Sequence, residues 1–245
     1  VIHVPQKVNP MTNPALLADP VGHLLKLLQP PSRRIVMGLV GLPGSGKSTI
    51  SKILVNLEKQ SGGTVQFDFH NSKKLTSNVQ MVFQDPFAAL NPGLKVKSML
   101  AEVFHIHQPE IKKADLKKEM VVLLEKVGLK GDDLEKYPAN FSGGQRQRLC
   151  IARALAVKPA LLICDEATSA LDLSVQAQIL NLLKSLQISE HLTILMITHS
   201  MAVAAWFCNS LIVLKDGKIV EQGKADALFA NPGNAYTKLL FEKST

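Results

Sequence analysis

The chain has 245 residues, of which 46% are hydrophobic and 20% are charged, the balance of a globular protein with a sizeable core. This composition excludes a disordered or fibrous chain for most of the length. Lys and Arg outnumber Asp and Glu by 28 to 20, which gives a formal net charge of +8. A basic balance of this size favours solubility first, and an anionic partner such as a nucleotide, a nucleic acid or a lipid face second.

The spacing of the cysteines and the hydropathy exclude further classes of protein. Cys150, Cys164 and Cys208 are widely spaced and form no CxxC pair, which disfavours a disulfide framework and a structural zinc site. We expect all three to pack in the core. No apolar run approaches the roughly 18 residues of a membrane helix, and the first residues lack the basic end and the apolar stretch of a signal peptide. We therefore expect a protein of a reducing cytoplasm, and any membrane role to be peripheral.

Prolines break up residues 1–34, and clear patterns begin after them. In chain order, the apolar spacing predicts a buried strand over Ile35–Val40, a loop over Gly41–Gly46, a helix over Ser48–Leu57, an alternating edge strand over Thr64–Phe69 and a strand over Val79–Phe83. From about Lys95 to Lys158 the spacing is helical throughout. One apolar helix face in this stretch is formed by Leu116, Met120, Leu123, Leu124 and Val127.

Strands return in the last third of the chain. The predicted strands are Ala160–Cys164, Thr193–Ile197 and Leu211–Leu214. The first two are separated by an amphipathic helix marked by Val175, Ile179, Leu182, Leu183 and Leu186. Strand–helix alternation on both sides of an all-helical stretch indicates an α/β core with an inserted helical subdomain.

The loop after the first strand carries a phosphate-binding pattern. Residues 41–49 read Gly-Leu-Pro-Gly-Ser-Gly-Lys-Ser-Thr and fit G-x-x-x-x-G-K-[ST] between a strand and a helix, as the pattern requires. Glycines let the backbone N–H groups turn towards phosphates, and the helix N-terminus adds its positive dipole end. Lys47 is expected to reach the β- and γ-phosphates, and Ser48 to offer its hydroxyl to Mg²⁺.

Two carboxylates, Asp165 and Glu166, end the strand predicted over Ala160–Cys164. Acids at the end of a buried strand need a cation or a proton. Asp165 is expected to hold Mg²⁺ through water, and Glu166 to act as the general base on the attacking water. Taken alone, the pair is also compatible with a simple cap at the strand end, but the phosphate loop makes that alternative weak.

A third motif, Ser142-Gly143-Gly144-Gln145, precedes a helix predicted over Arg146–Val157. With the two motifs above, it resembles the signature of the ATP-binding-cassette (ABC) ATPases. The resemblance covers about residues 35–240 and implies ATP and Mg²⁺ as ligands. It assigns nucleotide contacts to Gly41, Leu42, Pro43, Gly44, Ser45, Gly46, Lys47, Ser48, Thr49, Gln84, Ser142, Gly143, Gly144, Gln145 and Asp172, magnesium contacts to Ser48, Gln84 and Asp165, and catalysis to Glu166 and His199.

Three of these residues have further family roles that the resemblance carries over. Gln84 matches the glutamine that joins the metal site to the helical subdomain and the transport channel. Residues 169–172 (Ser-Ala-Leu-Asp) match the loop that crosses the dimer interface. His199 matches the switch histidine that contacts the γ-phosphate.

Finer likeness favours one branch of the family. Residues 82–92 (Val-Phe-Gln-Asp-Pro-Phe-Ala-Ala-Leu-Asn-Pro) are similar to a stretch of the dipeptide, oligopeptide and nickel importers, as are Tyr137-Pro138 and residues 231–238. Asn234-Ala235 departs from the histidine-proline that is common there. The branch implies a cargo of peptides or of nickel and other metal complexes.

The resemblance also implies an architecture and partners. It predicts one ABC ATPase domain over 1–245, with a mixed-sheet α/β core (1–87 and 159–245), an N-terminal antiparallel portion and a helical subdomain (88–158) that contains the signature. Two such subunits, identical or different, would pack head to tail, with Ser142 and Gly144 serving the site opposite Lys47. The implied partners are two transmembrane permease subunits and, indirectly, a substrate-binding protein, at the cytoplasmic face of the bacterial inner membrane.

Two alternatives remain. A nucleic-acid-associated ABC ATPase would suit the charge of +8, but chromosome-maintenance and break-repair members place a long coiled coil between phosphate loop and signature, and no sustained heptads lie between Lys47 and Ser142. We expect no nucleic-acid partner. A regulatory subunit that binds ATP without hydrolysing it is disfavoured because all hydrolytic residues are present. Residues 1–66 contain no Phe, Tyr or Trp, so the stacking of adenine is unexplained.

Overall fold

Six strands form a single sheet in the computed structural model, which describes residues 35–62, 65–67, 69 and 74–242. The strands are β1 (Val36–Val40), β2 (Val79–Val82), β3 (Leu161–Asp165), β4 (Thr193–Thr198), β5 (Ser210–Lys215) and β6 (Lys218–Lys224). Their order is β2-β3-β4-β1-β5-β6, in which the first five are parallel and β6 is antiparallel to β5.

Ten helices connect or follow these strands in the described residues. They are α1 (Lys47–Leu54), α2 (Leu75–Asn78), α3 (Pro86–Ala89), α4 (Val96–His107), α5 (Lys113–Lys126), α6 (Gly143–Leu155), α7 (Leu173–Ser189), α8 (Met201–Phe207), α9 (Ala225–Ala230) and α10 (Ala235–Glu242). Two short 3₁₀ helices, Gly131–Glu135 and Pro138–Asn140, precede α6. None of the helices in this part of the chain has the length and apolar character needed to cross a bilayer.

The central strands β1, β3 and β4 are buried along their whole length, and their side chains alternate between two apolar layers. On β1, Val36 and Val40 join the layer that contains the apolar faces of α4 to α8. Met37 and Leu39 point to the opposite layer, which is covered by α1. Helices on both faces suit a mainly parallel sheet, because its near-continuous apolar strands leave no face for water.

The parallel strands bring their carboxyl ends to one edge of the sheet. Val40 pairs with Thr198, and Asp165 pairs with Ile197, so the chain segments that follow β1, β3 and β4 leave the sheet at the same level. Gln84 follows β2, which pairs with β3. Ligands of open α/β sheets bind at this edge.

Most predicted elements are confirmed, with ends that differ by a few residues. The α/β class with a mixed sheet is confirmed, and the cysteines are buried as expected. Burial raises the pKa of the Cys164 thiol to about 12. The helical stretch over 95–158 resolves into α4, α5 and α6, with turns between them. Helix α6 starts at Gly143, earlier than predicted, because Ser142 is its cap.

One predicted strand is wrong, and several elements were not predicted. Of the segment Thr64–Phe69, the described residues 65–67 and 69 belong to no strand; Phe67 and Phe69 instead stack on each other and pack against the layer under α1. Strand β6 and helices α2, α3, α8, α9 and α10 had no counterpart in the sequence interpretation. The expected N-terminal antiparallel portion falls mostly on residues 1–34, outside the described residues. The division into a core and a helical subdomain stays a prediction.

Candidate nucleotide-binding and catalytic site

The loop between β1 and α1 has the backbone of a phosphate cradle. Gly44 and Gly46 have φ angles of 81° and 95°, in the left-handed region that glycine adopts without steric cost. Gly46 is the N-cap of α1 and has no side chain to cap the helix, so the first N–H groups of α1 are available to an external anion. The surface of the loop and the first turn of α1 are open to solvent at Leu42, Pro43, Gly44, Ser48 and Thr49.

Lys47 is the first residue of α1, and its buried side chain lies within this loop. Its Nζ donates hydrogen bonds to the carbonyl oxygens of Gly41 (2.7 Å) and Leu42 (2.9 Å) and to Oγ of Ser45 (3.3 Å). Burial lowers the pKa of the ammonium group, and the nearby charges of Glu166 and Asp165 act in the opposite direction. The ammonium group is therefore already directed into the cradle, where phosphate oxygens can replace the oxygens of the loop.

Asp165 connects β3 to the first turns of α1. Its Oδ1 accepts a hydrogen bond from Ser48 Oγ (3.3 Å), and its Oδ2 accepts one from Ser51 Oγ (3.1 Å). Burial raises the pKa of Asp165, and these two hydrogen bonds oppose the shift. Ser51 was not predicted, although its position three residues after Ser48 places both hydroxyls on one face of the helix.

The oxygen donors at this point fit Mg²⁺. Ser48 offers a hydroxyl and Asp165 a carboxylate, both hard ligands, and Mg²⁺ is usually bound by one or two carboxylates together with substrate phosphates and water. Among the described residues there is no group of three or more His, Cys, Asp or Glu side chains that could hold a metal ion. Gln84 lies at the same sheet edge, but its exposed side chain makes no hydrogen bond to Ser48 or Asp165 within the described chain.

Glu166 and His199, the two residues predicted to be catalytic, lie side by side. His199 Nδ1 lies 3.0 Å from Oε1 of Glu166, within hydrogen-bond distance. The backbone of Glu166 has a φ of 47°, in a region that costs free energy for residues other than glycine, and its N–H donates to the Ile197 carbonyl at 3.0 Å. Both side chains line a cavity of about 240 Å³. The Glu166 carboxylate and the His199 ring are thus held together at the wall of one cavity.

The signature lies apart from these residues. Ser142 is the N-cap of α6: its Oγ accepts from the Gln145 N–H (3.3 Å), while Gln145 Oε1 accepts from the Ser142 N–H (3.0 Å). Both side chains are exposed. Gly144 is buried against α7, where an added Cβ would lie 2.4 Å from Cγ1 of Val175. In the part of the chain that the structure describes, no hydrogen bond joins the signature to the phosphate loop or to the acidic pair.

Asp172, at the end of the loop 169–172, is exposed and caps α7. Its Oδ1 accepts from the Val175 N–H (2.9 Å) and from Ser174 Oγ (2.7 Å). The Val175 N–H, and after it the Ser174 hydroxyl, hold the pKa of Asp172 below its ordinary value. The predicted contact between Asp172 and a nucleotide stays a prediction.

The phosphate loop has two further contacts that sequence reasoning missed. The Leu42 N–H donates to Oη of Tyr236 on α10 (3.2 Å), and the Gly217 N–H donates to the Ser45 carbonyl oxygen (3.0 Å). Gly217 lies in the turn between β5 and β6, and the pair Asp216-Gly217 is a local hairpin signal that could have revealed this turn. No local signal places Tyr236 beside the loop.

Several bacterial proteins resemble this chain in sequence. The uncharacterized ABC transporter ATP-binding protein YejF of Escherichia coli is 44% identical over 216 residues, which are 85% of this chain and 41% of that protein. The oligopeptide transport ATP-binding protein OppF of Bacillus subtilis is 43% identical over 213 residues, which are 83% and 70% of the two chains. The dipeptide transport ATP-binding protein DppF of Lactococcus lactis is 41% identical over 83% of this chain and 68% of its own length. The chain thus spans between 41% and 70% of these three relatives.

Solved structures and a family model agree with these relatives. The structure of cbiO1 from Clostridium perfringens, part of the ABC transporter complex cbiONQ, matches 81% of this chain and 80% of its own with a TM-score of 0.71 and 29% identity. A dimeric structure of MJ0796, a bacterial ABC transporter cassette, matches 78% and 85% with a TM-score of 0.66 and 30% identity. The family model described as ABC transporter matches residues 32–169. The chain belongs to the ABC transporter family.

Proposed function

We propose that this chain is the ATP-binding and ATP-hydrolysing subunit of an ABC importer that takes up peptides, or nickel and other metal complexes. The observation that carries this proposal is the meeting of Lys47, Asp165 and the Glu166–His199 pair at the carboxyl edge of the sheet. The printed names of the relatives, which are oligopeptide and dipeptide transport ATP-binding proteins, support the choice of cargo.

The residues divide the chemistry among them. Lys47 and the N–H groups of residues 44–49 would bind the phosphates, while Ser48, Asp165 and, if its side chain turned inward, Gln84 would hold Mg²⁺. The ion, when bound, neutralises charge on the phosphate oxygens. Glu166 accepts the proton of the attacking water at its free carboxylate oxygen, and His199 holds the other oxygen in place.

The subunit would work in a pair. Ser142 and Gln145 are exposed and can contact a second protein surface. The loop that ends at Asp172 is exposed as well. We therefore place the signature of one subunit over the Lys47 of another, in a homodimer or heterodimer arranged head to tail. The cassette MJ0796 forms dimers in its solved structures. Two transmembrane permease subunits and a substrate-binding protein complete the proposed importer, with this chain at the cytoplasmic face of the bacterial membrane.

Nucleotide binding by the purified chain tests the first part of the proposal. Lys47→Ala removes a buried ammonium group that charge-assisted hydrogen bonds would join to phosphate, so we expect ATP affinity to fall roughly tenfold to a hundredfold. Lys52→Ala is the matched control, because Lys52 is exposed on the same helix and, within the described part of the chain, forms an ion pair only with Glu58. Equal ATP affinities of the two variants would contradict the phosphate-loop assignment.

Transport tests the second part. The chain is co-purified with the membrane subunits encoded beside its gene and reconstituted in vesicles that contain ATP on the side of this subunit. Uptake of labelled di- and oligopeptides is compared with uptake of ⁶³Ni²⁺ complexes, in the parent protein and in Lys47→Ala. If neither cargo class is taken up in an ATP-dependent manner, the importer assignment is wrong.

A further inference from the structure

The phosphate loop is contacted by Tyr236, which lies 194 positions after Leu42 in the sequence. Oη of Tyr236, on α10, accepts a hydrogen bond from the Leu42 N–H at 3.2 Å. Tyr236 belongs to the segment 231–238 and lies outside residues 32–169, the part of the chain that the family model matches. No residue role assigned so far uses it.

The bonded N–H belongs to a peptide unit that is held on both sides. The Leu42 N–H and the Gly41 carbonyl are parts of one planar trans peptide, so the two groups point in opposite directions. The Gly41 oxygen accepts from Lys47 Nζ at 2.7 Å, while the N–H donates to Tyr236. Tyr236 therefore fixes the orientation of the peptide whose oxygen contacts the phosphate-binding lysine.

Tyr236 is itself fixed by the preceding turn. Asn234 Oδ1 accepts from the Tyr236 N–H at 2.8 Å, and Asn234 Nδ2 donates to the Val220 carbonyl at 3.4 Å. The Glu221 carboxylate accepts from the N–H groups of Gly233 (2.7 Å) and Asn234 (3.2 Å). Strand β6 thus anchors the start of α10 and limits where the tyrosine can reach.

The β5–β6 hairpin adds two more constraints at the same place. Lys215 Nζ lies 5.1 Å from the centroid of the Tyr236 ring, a cation–π distance. The Gly217 N–H donates to the Ser45 carbonyl oxygen at 3.0 Å. The hairpin therefore contacts both the Tyr236 ring and the phosphate loop. Tyr236 is one of several residues that support the loop on this side.

We propose that Tyr236 is a positioning residue of the nucleotide site. It holds the Gly41–Leu42 peptide with the oxygen towards Lys47, which keeps the loop in the shape that receives phosphates before the nucleotide arrives. Tyr236 touches no substrate in this role; it acts through the loop. The inference rests on the proposed nucleotide-binding function.

The test removes one hydroxyl and keeps the ring. In Tyr236→Phe, we expect the ATP Kd to rise about fivefold, because one hydrogen bond that preorganises the loop is lost. Exchange of the Leu42 amide hydrogen should become faster at the same time. Tyr137→Phe is the matched control: it deletes the only other tyrosine hydroxyl of the chain, and we expect it to change neither quantity.

A second pair of variants tests the anchor. Asn234→Ala removes the oxygen that accepts from the Tyr236 N–H and should weaken ATP binding in the same direction, whereas Asn234→Asp keeps that acceptor and should restore most of the affinity. Thermal unfolding is recorded for every variant. A tyrosine with a structural role only would lower the unfolding temperature of Tyr236→Phe and leave the ATP Kd unchanged, and that result would overturn the inference.

Lys47→Ala, measured in parallel, separates the two levels of the argument. If Lys47→Ala binds ATP as tightly as the parent protein, the proposed function fails. If Lys47→Ala loses affinity while Tyr236→Phe binds ATP as tightly as Tyr137→Phe, the proposed function stands and the positioning role of Tyr236 is wrong.

Discussion

The phosphate loop and the signature each precede a helix, and the N-termini of these two helices are capped in opposite ways. Helix α1 begins after Gly46, which offers no capping side chain, whereas α6 begins after Ser142, whose hydroxyl and the Gln145 amide cap the helix reciprocally. The free N–H groups of α1 still need an acceptor, and those of α6 are partly satisfied. The first terminus is suited to receive phosphate through its backbone, and the second to present side chains.

The surroundings of the two motifs differ in the same sense. The phosphate loop is contacted by Asp165, Tyr236 and Gly217, all from its own chain. The signature is held by its own cap and by the packing of Gly144 on α7, and it exposes the rest of its surface. In the proposed dimer, the phosphate loop would therefore be supported within its own chain, while the exposed signature would meet another subunit. Variants of the two motifs test this difference between the phosphate loop and the signature.

The largest effect is expected from the chemistry of the phosphate-loop half. Glu166→Gln should keep ATP affinity but lower turnover about 10²- to 10⁴-fold, because an amide cannot accept the proton of the attacking water. Phosphate release measures turnover, and equilibrium titration measures affinity. Glu190→Gln is the control, since Glu190 pairs with Lys126 at the far end of α7. Turnover near the parent value would remove Glu166 from the role of general base.

The signature half should fail differently. Ser142→Arg removes the cap of α6, which costs about 1 kcal/mol, and places a large cation on the exposed surface. We expect the isolated chain to fold and to bind ATP at the parent affinity, while hydrolysis falls about a hundredfold because the signature completes the site of another subunit. Ser185→Arg, the same exchange at an exposed position of α7, should leave hydrolysis unchanged. Loss of ATP binding by the isolated Ser142→Arg chain would contradict an intermolecular role.

Mixing the two inactive variants sharpens the comparison. If the partner is a second copy, a dimer of one Ser142→Arg chain and one Glu166→Gln chain contains one doubly defective site and one intact site. Activity that neither variant has alone should then appear in the mixture. If the signature served the phosphate loop of its own chain, every site in the mixture would be defective and no activity would appear.

How far the sequence alone predicts the site follows from the same contrast. The phosphate loop, the acidic pair and the signature are contiguous motifs, so their residue types and spacing suffice to find them. Tyr236 and Leu42 are 194 positions apart, and strand β6 anchors the residues before α10 beside the loop. Ser51 joins Asp165 across 114 positions for a similar reason, namely the adjacency of α1 and β3. Contacts set by strand order are not visible in local spacing.

Gly144 illustrates a motif residue with a packing role that the sequence did not indicate. Alanine at this position would place its Cβ 2.4 Å from Cγ1 of Val175, whose branched side chain has little rotamer freedom, so Gly144→Ala should destabilise the fold by about 1–3 kcal/mol. Gly143→Ala is the control, because its Cβ would meet only Leu171 at an ordinary 3.5 Å. Thermal unfolding compares them, and the double variant Gly144→Ala/Val175→Ala should recover part of the loss. Equal unfolding temperatures of the two single variants would show that this contact does not require glycine.

The smallest effect concerns the end of the nucleotide that lies away from the phosphates. Residues 1–66 contain no Phe, Tyr or Trp, and the first two such residues that follow, Phe67 and Phe69, stack with ring centroids 5.2 Å apart and pack, partly buried, against the core. An aromatic ring stacked on a base is worth about 1–3 kcal/mol, so its loss removes roughly a tenfold or larger preference.

We therefore expect GTP to compete with ATP within about tenfold in a competition titration, since the phosphate contacts of Lys47 and the loop amides are the same for both nucleotides. Comparison of ADP with AMP provides the internal scale: removal of the β-phosphate takes away contacts with the loop and should cost more affinity than replacement of adenine by guanine. A preference for ATP over GTP of about a hundredfold or more would contradict this expectation, because it requires about 2.7 kcal/mol of base recognition. Such a result would place a specific base pocket beside a loop whose predicted nucleotide contacts are all to phosphate.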